Sequence, residues 1–168
     1  MKVSNLLKQW LFKPRHDCVT FKGILEIKHI RNGKVIATRR TDNLIVNTGL
    51  AAFAGLLNGV ITNFFDYIAI GTGTTAPAVT DTTLQAEITT GGGQRTAATC
   101  TRTTTNVTND TSQLVATFNF TAGFAVTEEG VFDSASGGTM ACRQTFAALN
   151  VVSGDSLQIT HKIVCARP

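Results

Sequence analysis

The dipeptide Asn32-Gly33 lies between two extended runs, FKGILEIKHIR and KVIATRRTDNLIV. Asparagine tolerates a left-handed backbone and glycine has no side chain to clash there, so a two-residue type I′ turn and a β-hairpin are the expected outcome. The strands are expected over about 24–31 and 34–41, and the ribbon carries Lys28, His29, Arg31, Lys34, Arg39 and Arg40 on its polar faces. Long cations keep their charged heads in water, so such a ribbon reads first as a solvated face. Arg39 and Arg40 are also candidates for contact with an acidic partner.

The rest of the chain repeats the strand signal. In SQLVATFNFT (112–121), Leu114, Ala116, Phe118 and Phe120 alternate with polar or smaller residues, the period of a half-buried strand. Further strands are expected at 67–70, 95–105, 125–133, 139–148 and 156–165. The last of these puts Leu157, Ile159, His161, Ile163 and Cys165 on one face. Short strands separated by Gly, Asn, Asp and Ser turns predict an all-β fold. The expected form is an antiparallel β-sandwich, jelly-roll or immunoglobulin-like, or the related barrel. Heavy threonine use over 72–121 agrees, since β-branched polar residues suit the outer faces of strands. One helix is expected over 49–57, with Leu50, Phe53, Ala54 and Leu57 at helical spacing. Asn47 or Thr48 would cap it, and Asn58-Gly59 would stop it.

Residues 1–12 place Val3, Leu6, Leu7, Trp10 and Leu11 at helical spacing, and Pro14 ends the pattern. Three readings of this stripe stay open: a helix packed on its own domain, an arm docking on a neighbouring subunit, or a basic helix on a membrane surface. Charge singles out the same end. Residues 1–40 hold ten Lys/Arg against two Asp/Glu, a net +8, and the remainder holds five against nine, a net −4. An arm over 1–20 reaching toward an acidic partner, followed by a β-domain over 21–168, fits that split. Leu6, Leu7, Trp10, Leu11, Lys13 and Arg15 are then its docking candidates.

Hydrophobic residues are 43% of the chain and charged residues 15%, enough for a core and too apolar for wholesale disorder. The longest apolar stretch, GLAAFAGLLNGVITNFF, is interrupted by Asn58, Gly59 and Asn63, so no membrane span is expected. No secretory leader is legible at the N-terminus. Cys18, Cys100, Cys142 and Cys165 contain no C-x-x-C pair and read as buried thiols, with a disulfide left open. His16-x-Cys18 offers two metal ligands without a second pair, so no metal site is expected.

The string GTGTTAP (71–77) invites a nucleotide reading and fails it. It lacks the lysine of a phosphate loop, Pro77 stands where the helix would start, and Ala76 occupies the third glycine position of a dinucleotide fingerprint. It is expected to be a turn leading to the amphipathic piece DTTLQAEI (81–88). Glu128 and Glu129 are adjacent and would face opposite sides of a strand. His16, His29 and His161 are scattered, and no serine carries a nucleophile motif. His161 reads as a satisfied core or interface histidine. No catalytic residue and no cofactor are expected. No specific nucleic-acid reader is expected either, because neither stacking aromatics nor a helix-turn-helix pattern is present. The sequons at Asn106, Asn109 and Asn119 carry meaning only in a secreted eukaryotic protein.

Residues 43–88, NLIVNTGLAAFAGLLNG…DYIAIGTGTTAPAVTDTTLQAEI, resemble a module of virion structural proteins of tailed bacteriophages. Its parts are N-L-x-x-N-x-G, a small hydrophobic helix, a strand ending in I-G-T-G, T-x-A-P, and D-x-x-L-x-x-E. The similarity continues through TEEGVFDSASGGTMACRQTF, with E-x-G-x-F, a small-residue turn and R-x-x-F. The resemblance implies a non-enzymatic β-sandwich assembly domain in which Gly71 and Gly73 serve an architectural turn. It points to capsid decoration (cement), or else to a tail, fibre-attachment or baseplate adaptor. The implied location is the virion, assembled in the bacterial host cytoplasm, and the implied partners are other virion proteins. A homo-oligomer is expected, with a trimer favoured by closed symmetry.

Overall fold

A computed structural model describes residues 18–167. The expected arm residues Leu6, Leu7, Trp10, Leu11, Lys13 and Arg15 lie outside them. The fold is all-β and antiparallel with one short helix. The elements are β1 (Thr20–Arg31), β2 (Lys34–Ile45), α1 (Asn47–Asn58), β3 (Tyr67–Gly71), β4 (Thr96–Ala97), β5 (Thr99–Thr103), β6 (Thr111–Asn119), β7 (Phe124–Phe132), β8 (Met140–Val151) and β9 (Ser156–Ala166).

β1 and β2 form a hairpin in which Asn32 (φ 50°) and Gly33 (φ 73°) are both left-handed, as a type I′ turn requires. The nine strands make one sheet in the order β4-β3-β7-β8-β2-β1-β9-β6-β5. Its two ends are joined by the chain itself. β4 pairs with β3 and, one residue later, β5 pairs with β6, while the Ala98 N–H between them donates to the Asp66 carbonyl at 2.7 Å. The stretch expected as one strand over 95–105 is therefore a corner that changes partner at Ala98, and the sheet curls into a nearly closed, sandwich-like barrel.

Opposite that corner the wall is thin. β2 meets β8 only through Leu44 and Ile45, and the preceding part of β2 diverges from the end of β8. Inward residues from both halves fill the main core: Leu25, Ile27, Ile68, Ile70, Phe118 and Ile159 are all essentially excluded from solvent. Burying a side chain of this size contributes about 1.5–3 kcal/mol, so the alternation read in β6 and β9 is what sets the strand register. Leu114, Ala116, Phe118 and Phe120 are buried as a set.

A second, smaller core lies outside the barrel. Residues 72–95 contain neither helix nor strand and cover the outer face of β3, β7 and β8, where Leu84 packs with Val46, Ala69, Phe132 and Met140. The piece DTTLQAEI, read as amphipathic, is irregular. It gives Leu84 and Ile88 to the interior through its loop path and a single bridge between Gly71 and Glu87.

Helix α1 differs from expectation at its start and on its surface. Val46 occupies the cap position with no side-chain cap. The Asn47 N–H instead donates to the Val79 carbonyl (2.8 Å), and the Thr48 hydroxyl to the Met140 carbonyl (2.8 Å), so tertiary partners replace the local cap. Gly59 closes the helix in the left-handed conformation as predicted. The buried positions are Gly49 and Ala52, because the helix lies against the β8 backbone so closely that a Cβ on Gly49 would overlap Ala141. Leu50 and Leu57, expected inward, point to solvent.

Candidate functional site: a buried staple and two open surfaces

Several of the residues that carried the resemblance meet at one place. β7 presents Glu128 and Glu129 to opposite faces, and both are fully buried because residues 72–95 cover the outer one. On that face Glu128 Oε1 accepts the N–H groups of Gly73 (3.0 Å) and Ala86 (2.7 Å). Oε2 accepts Gln85 N–H (3.0 Å) and two donors of Arg143, Nε (3.1 Å) and Nη2 (2.8 Å). Arg143 stands opposite Gly130 on β8 and also donates to Asp81 (2.8 Å) and to the Thr75 carbonyl (3.1 Å). Burial works against the Arg143 charge, but Glu128 and Asp81 outweigh it and raise its pKa; backbone hydrogen bonding and Arg143 hold the Asp81 carboxyl below its usual range. This arrangement is a staple pinning the GTGTTAP loop to the sheet.

The glycines of that loop are needed for space. Neither Gly71 nor Gly73 has a positive φ. A Cβ on Gly71 would fall on the Glu128 carboxylate and the Ala86 carbonyl oxygen, and one on Gly73 on Gln85 and the same carboxylate. Gly71→Ala is expected to lose about 1–3 kcal/mol, the cost of overpacking a filled site. A thermal melt matching the wild type would show that the loop can move aside.

A neighbouring cation completes the layer. Arg95 pairs with Glu87 through Nε (3.0 Å) and Nη2 (2.7 Å) and donates Nη1 to the carbonyls of Ser134 and Gly137. Its guanidinium sits 3.6 Å from the Phe132 ring centroid. The E-x-G-x-F strand, the small-residue turn and the end of D-x-x-L-x-x-E are thereby tied together.

Two histidines are structural. His161 Nδ1 lies 3.0 Å from Glu129 Oε1 and its Nε2 lies 3.0 Å from the Asn43 amide, all facing the main core beside Cys142. Burial opposes charging this imidazole, but Glu129 and hydrogen bonding to Cys142 more than offset it and raise the pKa. A thiol, an imidazole and a carboxylate are thus adjacent, yet all are closed to solvent. His29, expected on the polar face of the hairpin, is buried. Its Nε2 lies 2.8 Å from Asp155, which also accepts two hydrogen bonds from Arg31 at 2.7 Å and one from the Val152 N–H at 3.0 Å. Arg31, ahead of the other partners, holds the Asp155 carboxyl well below the usual range. Pairing with β9 opposite Leu157 turns His29 inward, a consequence of register that composition does not reveal.

Only Cys142 fits the expectation of buried thiols; Cys18, Cys100 and Cys165 are exposed, and all four are free. Among the described residues no group of His, Cys, Asp or Glu is arranged to hold a metal ion, and no helix is long and apolar enough to cross a membrane.

Among the described residues, two exposed surfaces bear on assembly. One is the Lys34–Asn43 edge of β2, which has no ladder partner on its far side among the described residues and exposes Val35, Ile36 and Arg40. Arg39 is half-buried and donates to its neighbour's carbonyl at Thr38, so the two predicted arginines face different ways. The other is an apolar groove of about 560 Å³ between α1, the 59–66 connection and one end of the barrel. Phe21, Phe53, Leu57, Phe64, Phe65, Leu114 and Ile163 line it. The sequence reading missed this groove because it assigned Leu57 to the core. No protein-family model matches the chain, and the comparison with curated proteins found no match.

Proposed function

We propose that this chain is a non-enzymatic structural protein of a tailed-bacteriophage particle, a decoration (cement) protein that clamps neighbouring major capsid subunits as a homo-oligomer, with a trimer favoured. The carrying observation is the convergence of the resemblance motifs. I-G-T-G, D-x-x-L-x-x-E, E-x-G-x-F and R-x-x-F are separate in sequence, and their Gly71, Gly73, Asp81, Glu128 and Arg143 form one connected unit around the buried Glu128 and Arg143. Motif residues spent on one another in this way make a scaffold, and a scaffold with an open strand edge and an apolar groove suits assembly.

Cryo-electron microscopy of the intact particle tests the proposal. Density for this chain over the icosahedral shell, with residues 1–20 laid across adjacent capsid subunits, is the expected result. Density confined to the tail, its fibres or baseplate would replace decoration with the adaptor role.

A further inference from the structure

The groove beside α1 gathers several exposed large apolar side chains of the described chain. Leu57 is 86% exposed and Phe64 74%, and Val60, next to them, 80%. Aromatic contacts organise its floor, with Phe21 against Phe53 at 5.1 Å and Phe53 against Phe65 at 5.6 Å. Clustered exposed apolar side chains of this kind mark a contact surface.

The described chain begins beside this groove, with Val19 in a neighbouring depression formed with Val107, Cys165 and Ala166. Phe21 lines the groove, paired with Cys165, and the Thr20 hydroxyl fastens the start of β1 to the Ala166 carbonyl. Seventeen residues precede Cys18, and they carry the apolar stripe of Val3, Leu6, Leu7, Trp10 and Leu11. The ten residues from Leu11 to Phe21 reach about 33 Å when extended, at about 3.3 Å each, so the connection does not limit docking. A segment tethered this closely meets its own groove at an effective concentration in the millimolar range.

We infer that the groove formed by Phe21, Phe53, Leu57, Phe64 and Phe65 is the docking site of this chain's own N-terminal stripe, Leu6, Leu7, Trp10 and Leu11. In the free protein the stripe is stored on its own domain, and a partner that takes it must offer a better apolar surface. The inference concerns the isolated chain and stands whether or not the virion reading does.

Cys100 and Cys165 line the groove, and Cys165 also borders the neighbouring depression, so Cys100 is the reporter of the groove's own cover. In the full-length chain with Cys18→Ser, Cys100 should react slowly with a maleimide. Adding Leu6→Asp and Leu7→Asp should speed labelling on the order of tenfold while leaving the unfolding midpoint of the β-domain in place. Equal labelling rates would overturn the inference. A second full-length variant, Leu7→Cys with Cys18→Ser, should on mild oxidation form an intramolecular disulfide to Cys100 or Cys165, with a yield independent of protein concentration. A disulfide-linked dimer would assign the groove to another copy's segment and overturn the own-chain inference, as would failure to bond to either cysteine.

Discussion

Glu128→Ala is expected to cost about 3–5 kcal/mol of folding stability, the range for removing one partner of a buried ion pair. The substitution strands the N–H groups of Gly73, Gln85 and Ala86 and leaves the Arg143 guanidinium with Asp81 as its remaining carboxylate. Against a typical total of about 5–15 kcal/mol, that loss is large. Urea unfolding with linear extrapolation measures it. Glu128→Gln with Arg143→Met removes both charges, and the pair should cost less than the sum of its parts, with a coupling of about 0.5–3 kcal/mol. Residues 72–88 should also become the first site of limited proteolysis in Glu128→Ala, since the staple is what holds them to the sheet. A variant within 1 kcal/mol of the wild type, as an approximate limit, would mean that water replaces the carboxylate and the staple is dispensable.

The strands were legible because alternation is a local signal and one face of each strand meets the main core. β6 and β9 are the clearest cases, and Asn32-Gly33 marked its turn through backbone preference alone. β7 was harder to interpret. TEEGVF holds two adjacent carboxylates and a glycine, a polar reading for a segment that is buried on both sides. Its second cover comes from residues 72–95, and nothing in the local pattern announces that a loop without regular structure will lie on a sheet. The sequence did single out Gly71 and Gly73 as turn residues, and the resemblance motifs contain Glu128 and Arg143 without giving either a role. Their mutual contact depends on the pairing of β3, β7 and β8, which brings together residues 15 and 55 positions apart.

The same reasoning explains the misassigned faces of α1 and the hairpin. A helix with apolar residues at most positions has no unique stripe, and the choice between Leu50/Leu57 and Gly49/Ala52 fell to how closely β8 approaches. His29 was grouped with the hairpin cations by composition, whereas its partner Asp155 lies 126 residues away. The three exposed cysteines follow suit. Cys100 and Cys165 sit on strand faces directed inward, but at the open end of the barrel, where an inward residue meets the groove instead of a packed core.

Glu129→Gln is expected to be nearly as damaging, about 3–5 kcal/mol, because it leaves a charged or desolvated imidazole in the main core without its counterion. Replacing both members, His161→Leu with Glu129→Met, should recover most of that loss, since apolar residues of similar volume dispense with the desolvation cost. The pair also predicts a pH signature. A histidine whose folded pKa is raised from 6.5 to about 10 contributes stability that is fully present below 6.5 and disappears as pH rises toward 10. Wild-type stability should therefore decline across that interval, and the decline should flatten in the double variant, whose other titrating groups are unchanged. Urea unfolding at pH 6, 8 and 10, as approximate settings, reads both outcomes, and an NMR titration of the imidazole covers the case in which a variant fails to fold. A wild-type profile as flat as that of the double variant would mean that His161 is buried neutral. The consequence extends to the groove: His161 pairs with Leu114 across β9 and β6, and Ile163 follows two residues later. Loss of the proton as pH rises toward 10 should loosen the wall on which the N-terminal stripe is inferred to rest, so thiol–disulfide exchange at Cys100 and Cys165, corrected for thiolate formation, should accelerate there in the wild type more than in the double variant.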